Sequence, residues 1–317
     1  MIHVYVPLMH RRSRGAVKMN YWQKGLVIGI TTLSLFTGSL SAFAQSATNA
    51  PSVYINGKLE WEAIQQRNRT FVPLAALKDP AWSIGYEAKT RSVVLSSPGQ
   101  KKTIQLKQGQ KSAEVNGKTK ALDAAVIMKD GRTYVPLRFI SEELNAFVSY
   151  NKERNRVVIR TPEGQRDYDT LMGGDLAKAR EVAVGLQLVY DNTFKELPVT
   201  GEGFTTTHTF PKGEALRLLR DYKGMTWYAE VNEEGLLTVK WQKDALGDKT
   251  EAGVPPKPFP EAVFFSENPM VELLIYGTVN KEGVYEEAGR IDQGQAGPYQ
   301  NARIVPVEGE ERTDRRH

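Results

Sequence analysis

The chain has 317 residues, 40% hydrophobic and 25% charged, with no cysteine, four histidines and a formal charge of +5. That length suits two globular domains, and the lack of cysteine excludes disulfide scaffolds and cysteine-ligated metal sites. With 9% aromatic residues the composition is that of a soluble folded protein, unlike a disordered tail, a collagen or a polytopic membrane protein.

The positive charge is concentrated at the start. Residues 1–44 hold Arg11, Arg12, Arg14, Lys18 and Lys24 and no acidic residue, and without them 37 basic residues face 37 acidic ones. The charge argument for nucleic-acid binding is thereby lost, and no nucleic-acid partner is expected. Lys24 precedes an apolar run, Leu26 to Phe36, followed by Gly38, Ser39 and Ala42-Phe43-Ala44 before Gln45. This predicts a secretory signal peptide over 1–44 and a linker over 45–51. Met19, which opens the more conventional start MNYWQKG, is an alternative first residue. The apolar run is shorter than the ~20 residues of a spanning helix, so no stable transmembrane anchor is expected. The expected location is secreted or extracellular, with wall association.

An internal repeat follows. Val53 to Lys58 (VYINGK) is echoed by Ala113 to Lys118 (AEVNGK), Arg69 to Leu74 by Arg132 to Leu137, and Val93 to Leu95 by Val157 to Ile159. These echoes place two copies at 52–97 and 112–161. Asn56-Gly57 and Asn116-Gly117 predict tight hairpin turns of type I′, and Asp130-Gly131 does the same before the strand Arg132 to Val135. Pro73 and Pro136 sit where a strand hands over to a helix. In the second copy Leu137, Ile140 and Leu144 follow helical spacing, with Arg138, Glu142 and Glu143 outward. In the first, Asp79-Pro80 stops the helix after about two turns. Phe147 to Tyr150 and Arg156 to Ile159 flank a polar turn and close the second copy as a hairpin.

These residues, NGK and then RTYVPLRFISEELNAFVSYNKERNRVVI, resemble the N-terminal (stalk) domain family of copper amine oxidases, found in secreted and cell-surface proteins of endospore-forming Gram-positive bacteria. The resemblance covers 52–161 and implies a small α+β domain, an antiparallel sheet packed on a helix, that accompanies other domains. It does not carry over copper, the quinone cofactor or amine oxidation, which belong to a separate domain in those enzymes. A type-2 copper site of that kind needs three histidines, and after residue 44 only His208 and His317 remain. No Asn-Tyr-Asp or Asn-Tyr-Glu triplet supplies a quinone precursor. Amine oxidase activity is therefore rejected, and no cofactor or metal is assigned.

Beyond Arg160 the charge reverses: residues 45–161 carry 19 basic and 10 acidic residues, residues 162–317 carry 18 and 27. Solvated faces, docking of the two halves, or attraction of the basic half to an anionic envelope polymer each accommodate this. Thr161-Pro162-Glu163-Gly164 reads as a linker, extended to 162–170, before an acidic α+β domain at 171–305. Its expected elements are a helix within Leu171 to Phe194 capped near Asp175, a strand Phe204 to Phe210, and a helix Gly213 to Tyr222 with Leu216 and Leu219 inward. Strands Met225 to Val231, Gly235 to Trp241, Ala262 to Ser266, Val271 to Val279 and Val284 to Gly289 follow. Residues 306–317 are expected to be a disordered tail.

Few residues invite chemistry. His208, on a strand, has the residue type of a general base or ligand, although a buried or surface histidine is the more ordinary reading. Glu233-Glu234 and Glu286-Glu287 lie in a turn and on a strand, where sequence does not show convergence across a cleft. Gly173-Gly174-Asp175 lacks the Lys-Ser/Thr of a phosphate loop and reads as a helix cap. Trp61, Trp82, Trp227 and Trp241 would suit a glycan-stacking platform if they shared a face, Trp227 and Trp241 being neighbours on adjacent strands; strand aromatics are otherwise core. Arg69, Arg132 and Arg138 accompany the repeated motif and suit either polymer anions or bonds that hold hairpin to helix. No hydrolase or nucleotide-binding signature occurs. The sequence thus reads as an exported, non-enzymatic envelope-binding or scaffolding protein, built from a duplicated hairpin-helix-hairpin stalk and a second α+β domain. Its expected partner is an anionic cell-wall polymer or another envelope protein. The alternative is a wall-targeted or secreted hydrolase with an unrecognised active site in the C-terminal domain.

Overall fold

The computed structural model describes residues 50–191, 195–246 and 250–316, so the signal peptide expected at 1–44 and His317 lie outside the described residues. The described residues belong to one compact unit that holds separate apolar cores in two lobes. The fold is mixed α and β, mostly strand.

The first lobe opens with β1 (Ser52–Ile55), β2 (Lys58–Leu59), β3 (Ile64–Gln66) and β4 (Arg69–Pro73). A short 3-10 turn, Leu74–Leu77, leads to β5 (Ser83–Glu87), β6 (Ser92–Ser97) and β7 (Lys102–Lys107). Then come β8 (Ser112–Val115), β9 (Lys118–Ala121), β10 (Ile127–Lys129) and β11 (Arg132–Pro136). Helix α1 (Leu137–Glu143), β12 (Phe147–Asn151) and β13 (Arg156–Arg160) complete it.

Asn56 and Gly57 (φ 49° and 77°) and Asn116 and Gly117 (50° and 76°) both adopt the positive backbone angles of the predicted tight turns. The central pairing is between β4 and β11, where Val72 faces Val135, residues that hold corresponding places in the two echoed stretches. Both valines are fully buried. Strands β12 and β13 join β1 and β2 in one sheet, and β5 and β6 join β8 and β9 in another, with β7 between. The inward residues Val53, Ile55, Leu95, Ile104, Val157 and Ile159 meet Phe139 and Ile140 of α1 in one core.

Two expectations fail here. The first copy has no α-helix, since its strand ends in a 3-10 turn of four residues before Asp79-Pro80. Glu143 is buried rather than outward, because Lys102 (3.0 Å) and Lys120 both pair with its carboxylate.

The second lobe begins directly with α2 (Pro162–Gly173) and α3 (Leu176–Gly185), followed by β14 (Leu188–Val189). Strands β15 (Thr206–Pro211), β16 (Arg217–Tyr222), β17 (Met225–Val231), β18 (Leu237–Asp244) and β19 (Glu251–Gly253) follow. The lobe ends with β20 (Ala262–Asn268), β21 (Leu273–Val279) and β22 (Tyr285–Asp292). These strands form one sheet in the order β14-β18-β17-β16-β15-β20-β21-β22, with β19 beside β18. Helices α2 and α3 cover one face through Leu171, Met172, Ala183 and Val184.

Three further readings are corrected. The expected linker at 162–170 is α2: Thr161 accepts the Gly164 amide and Pro162 takes the first helical position, so a sequence that looks like a linker by composition is a helix start by position. The expected helix Gly213 to Tyr222 is strand β16, because Leu216 and Leu218, two apart, enter the core while Leu219 turns the other way. The expected disordered tail is ordered over 306–316. Ile304 and Val305, just before it, pack into the core. Glu310 takes a double hydrogen bond from Arg180 (2.6 and 2.8 Å), and Asp314 accepts the amides of Ala215 and Leu216, both at 2.7 Å.

The first lobe docks on the second through its β1–β2 turn. Asn56 accepts the Thr161 amide and donates to its hydroxyl, and Leu59 donates to Gln187. A Cβ on Gly57 would stand 2.5 Å from Leu186, whereas one on Gly117, at nearly the same φ, meets nothing within 4 Å. Gly57→Ala and Gly117→Ala therefore share the strain of a left-handed alanine, about 1 kcal/mol, and only the first adds overpacking of about 1–3 kcal/mol. Thermal unfolding of the two variants checks this: Gly57→Ala is expected to melt clearly lower, and equal melting would mean that the turn is not wedged between the lobes.

Candidate functional site

Several concavities hold charged side chains, and two of them draw on both echoed segments of the sequence. The larger, about 550 Å³, lies at the joint between the lobes and is lined by Lys58, Arg160, Glu163, Asp167, Glu181, Glu234 and Arg303, among others. Much of its charge is already engaged within the protein. Glu181 pairs with Arg303 at 2.9 Å, Glu234 with Arg156 at 2.8 Å, and Arg160 stacks between the Phe147 and Tyr168 rings, 3.9 Å from each. This cleft is a joint.

The second, about 430 Å³, belongs to the first lobe and is lined by Gln65, Asn68, Arg69, Asp123, Arg138 and Tyr150, with Asn155 and several apolar residues. Arg69 opens β4, Arg138 is the second residue of α1, and Asp123 lies between β9 and β10, so the groove draws on both echoed stretches. Arg69 contacts the Asp123 carboxylate at a long 3.4 Å. The other oxygen of Asp123 is buried and has no hydrogen-bond partner. Among the described residues no carboxylate lies within ion-pair distance of Arg138. Tyr150, largely exposed, donates its hydroxyl to Asn155 at 3.1 Å. The arrangement offers one free guanidinium, one loosely held guanidinium, amides and a carboxylate acceptor, a set suited to holding a polar or anionic ligand.

The sequence candidates distribute unevenly over this picture. Arg69 and Arg138 come together at the groove, while Arg132 is turned to Glu62 in an ion pair. Trp227 pairs with Gln242 and Trp241 with Tyr228, which puts the two indoles on opposite faces of the sheet. Trp61 is exposed and Trp82 packs on the first core, so the four tryptophans form no platform. Glu234 is committed to Arg156 and Asn151, and Glu287, on the opposite edge strand of the sheet, to Arg290. Asp175 caps α3 by accepting the Lys178 amide, as the Gly-Gly-Asp sequence suggested. Among the described residues no three His, Asp or Glu side chains are placed to hold a metal ion, and no helix is long and apolar enough to cross a membrane. Asp123 is the groove residue that sequence reasoning missed; its only signal was its position just before the second copy's β-hairpin.

His208 is 2% exposed, between Arg220 and Phe265 on neighbouring strands, and its Nδ1 has no partner. Burial first, then the positive charges of Arg220 and Arg303, holds its pKa well below the ordinary value. With Glu267 and Glu181 completing the charged groups around those arginines, the imidazole is a neutral core group. The unfolded chain takes up a proton near pH ~6.5 and the folded one does not, so stability is expected to fall as the pH drops below about 6.5. Denaturant midpoints measured from pH 7.5 to 5.5 should show this slope, and His208→Gln should flatten it. An unchanged slope in the variant would assign the effect to another group.

No curated protein matches the chain. With β1 to β13, the paired Val72 and Val135 and the Arg69–Arg138 groove in place, the segment 53–159 matches the family model of the copper amine oxidase N-terminal domain.

Proposed function

We propose that this protein is an exported, non-enzymatic envelope-binding module, in which the basic first lobe associates with anionic wall polymer and the second lobe serves as its rigid partner or as a scaffold for another envelope protein. On this reading the first lobe is a duplicated unit whose two copies exchange hairpins around Val72 and Val135. The observation that carries the proposal is the unpaired guanidinium of Arg138 beside Arg69 at an open groove. An exposed cation without an internal partner favours a polyanion, and the surplus of 19 basic over 10 acidic residues across 45–161 draws such a polymer toward it. The reading does not use copper: His208, the one histidine among the described residues, is sealed in the second core.

The test is retention of the purified protein on isolated Gram-positive cell walls across a salt series, with and without their anionic polymers. Retention is expected to fall steeply between low and physiological salt, because exposed charges are screened over about 8–10 Å. Arg138→Ala is expected to weaken it several-fold, and stripping the anionic polymer to abolish it. Retention indifferent to salt and to Arg138 would remove the electrostatic reading.

A further inference from the structure

We infer that the groove between Arg69 and Arg138 takes an acidic sugar unit, one that presents a negative charge and free hydroxyls side by side. The inference rests on the reading of the first lobe as a polymer-binding module and narrows it to a chemical class. Two demands meet in this groove. Arg138, exposed and with no carboxylate of the described residues paired to it, is free to take an anion. Asp123 can take a donor, because the carboxylate oxygen that meets Arg69 does so only at 3.4 Å and keeps acceptor capacity, while its other oxygen is buried out of a ligand's reach. A hydroxyl is the neutral donor that the loosely held oxygen accepts from.

A bare polyanion meets the first demand and violates the second, since its charge would lie against that of Asp123. A neutral glycan meets the second and leaves Arg138 unpaired. A uronate or a sugar phosphate meets both, with its acidic group on Arg138 and a ring hydroxyl on Asp123. The flanking groups agree with this. Gln65 and Asn68 line the groove with amides, and the exposed ring of Tyr150 offers an apolar face to the C–H side of a pyranose. The corresponding position to Arg138 in the first echoed stretch is Ala75, and the counterpart of Arg69, Arg132, is held by Glu62, so the corresponding place lacks the second guanidinium.

The experiment is titration of the full protein with four polymers: polygalacturonate, a phosphomannan (a phosphorylated pyranose polymer), hydroxyl-free polyphosphate and neutral dextran. Each is run with wild type, Arg138→Ala, Asp123→Asn and a charge-matched control, Lys89→Ala, in the exposed turn between β5 and β6. Circular dichroism and thermal melting confirm that each variant is folded. One or both of the acidic sugar polymers are expected to bind, and the tighter identifies carboxylate or phosphate as the acid. Dextran is expected not to bind. Arg138→Ala is expected to weaken binding about tenfold, the order of one hydrogen bond to a charged group, and Lys89→Ala to leave it unchanged. The sign of the Asp123→Asn effect is decisive: it should weaken the sugar polymers about threefold or more and tighten polyphosphate. If it tightens all polyanions alike, or if polyphosphate binds as well as the sugar polymers, the acidic-sugar inference falls while the anion-binding function stands. If Arg138→Ala binds every polymer as wild type does, both fall.

Discussion

A guanidinium taken out of water has to find its carboxylates, and Arg156 finds both of its own in the other lobe. It sits on the outward face of β13, nearly buried, and donates to Glu234 at 2.8 Å and Asp191 at 2.7 Å, with the Tyr54 ring 5.2 Å beneath it. Burial pushes the Asp191 carboxyl up, but hydrogen bonds from Arg156 and Arg154 outweigh it and hold the group below its usual range. Such a buried network is a weak source of net stability compared with a packed apolar contact, and removing one member leaves an uncompensated charge worth about 3–5 kcal/mol. What it supplies is orientation. Any displacement of the lobes strands at least one of three charges, and Arg160, clamped between Phe147 and Tyr168, fixes the other end of the same strand. A cut at Thr161 would therefore expose Arg156 and Arg160 together and remove the cap of α2, so the two lobes are best understood as one body.

The two echoed stretches of the first lobe share turn chemistry and diverge in what the turns touch. Asn56-Gly57 is wedged against the second lobe, while Asn116-Gly117 stands open and uses its asparagine only to bind Thr103 and Lys101. The divergence extends along the strands. Where the docked sheet shows Tyr54, Arg156 and Arg160, the corresponding positions of the other sheet are Glu114, Ser92 and Ser96. Ser92 joins Gln105 and Thr90 in a small polar network instead of reaching for a partner lobe. Apolar and cationic residues on one sheet form the surface that docks on the second lobe, while Ser92, at a corresponding position of the other sheet, bonds within the first lobe.

Local features of the fold were legible in the sequence wherever they depend on neighbours along the chain. The tight turns follow from Asn-Gly and Asp-Gly pairs, and the cap of α3 from Asp175. Strand β16 was misread because Leu216 and Leu219 also satisfy helical spacing; the choice is made by the sheet, which takes Leu218 into its core and bonds Leu219 beside Tyr228. The tail was misread because its charges suggest solvation. Yet Glu310 and Asp314 are acceptors for Arg180 and for the turn before β16, partners roughly a hundred residues away that composition cannot reveal. Arg69 and Arg138 were legible as residues of interest. Their convergence with Asp123 was not, because it requires β4 to pair with β11, a contact between distant segments.

The groove also separates what a fold supplies from what particular residues supply. Arg69 and Arg132 occupy corresponding places at the starts of the paired strands β4 and β11, and each faces an acidic residue contributed by the other stretch, Asp123 for Arg69 and Glu62 for Arg132. These crossed ion pairs are exposed and weak, and the positions they hold are the starts of two paired strands. The asymmetry enters with one residue, arginine at 138 against alanine at 75. On one side a second guanidinium is added to a carboxylate that has acceptor capacity to spare; on the other nothing is added and the charge is closed. The match of segment 53–159 to a domain-family model therefore goes with the backbone that brings β4, α1 and the β9–β10 connection together, and not with the ligand proposed for the groove. On the proposed reading, ligand binding depends on a residue outside the crossed pairs and would be lost from the same fold with an alanine at both positions.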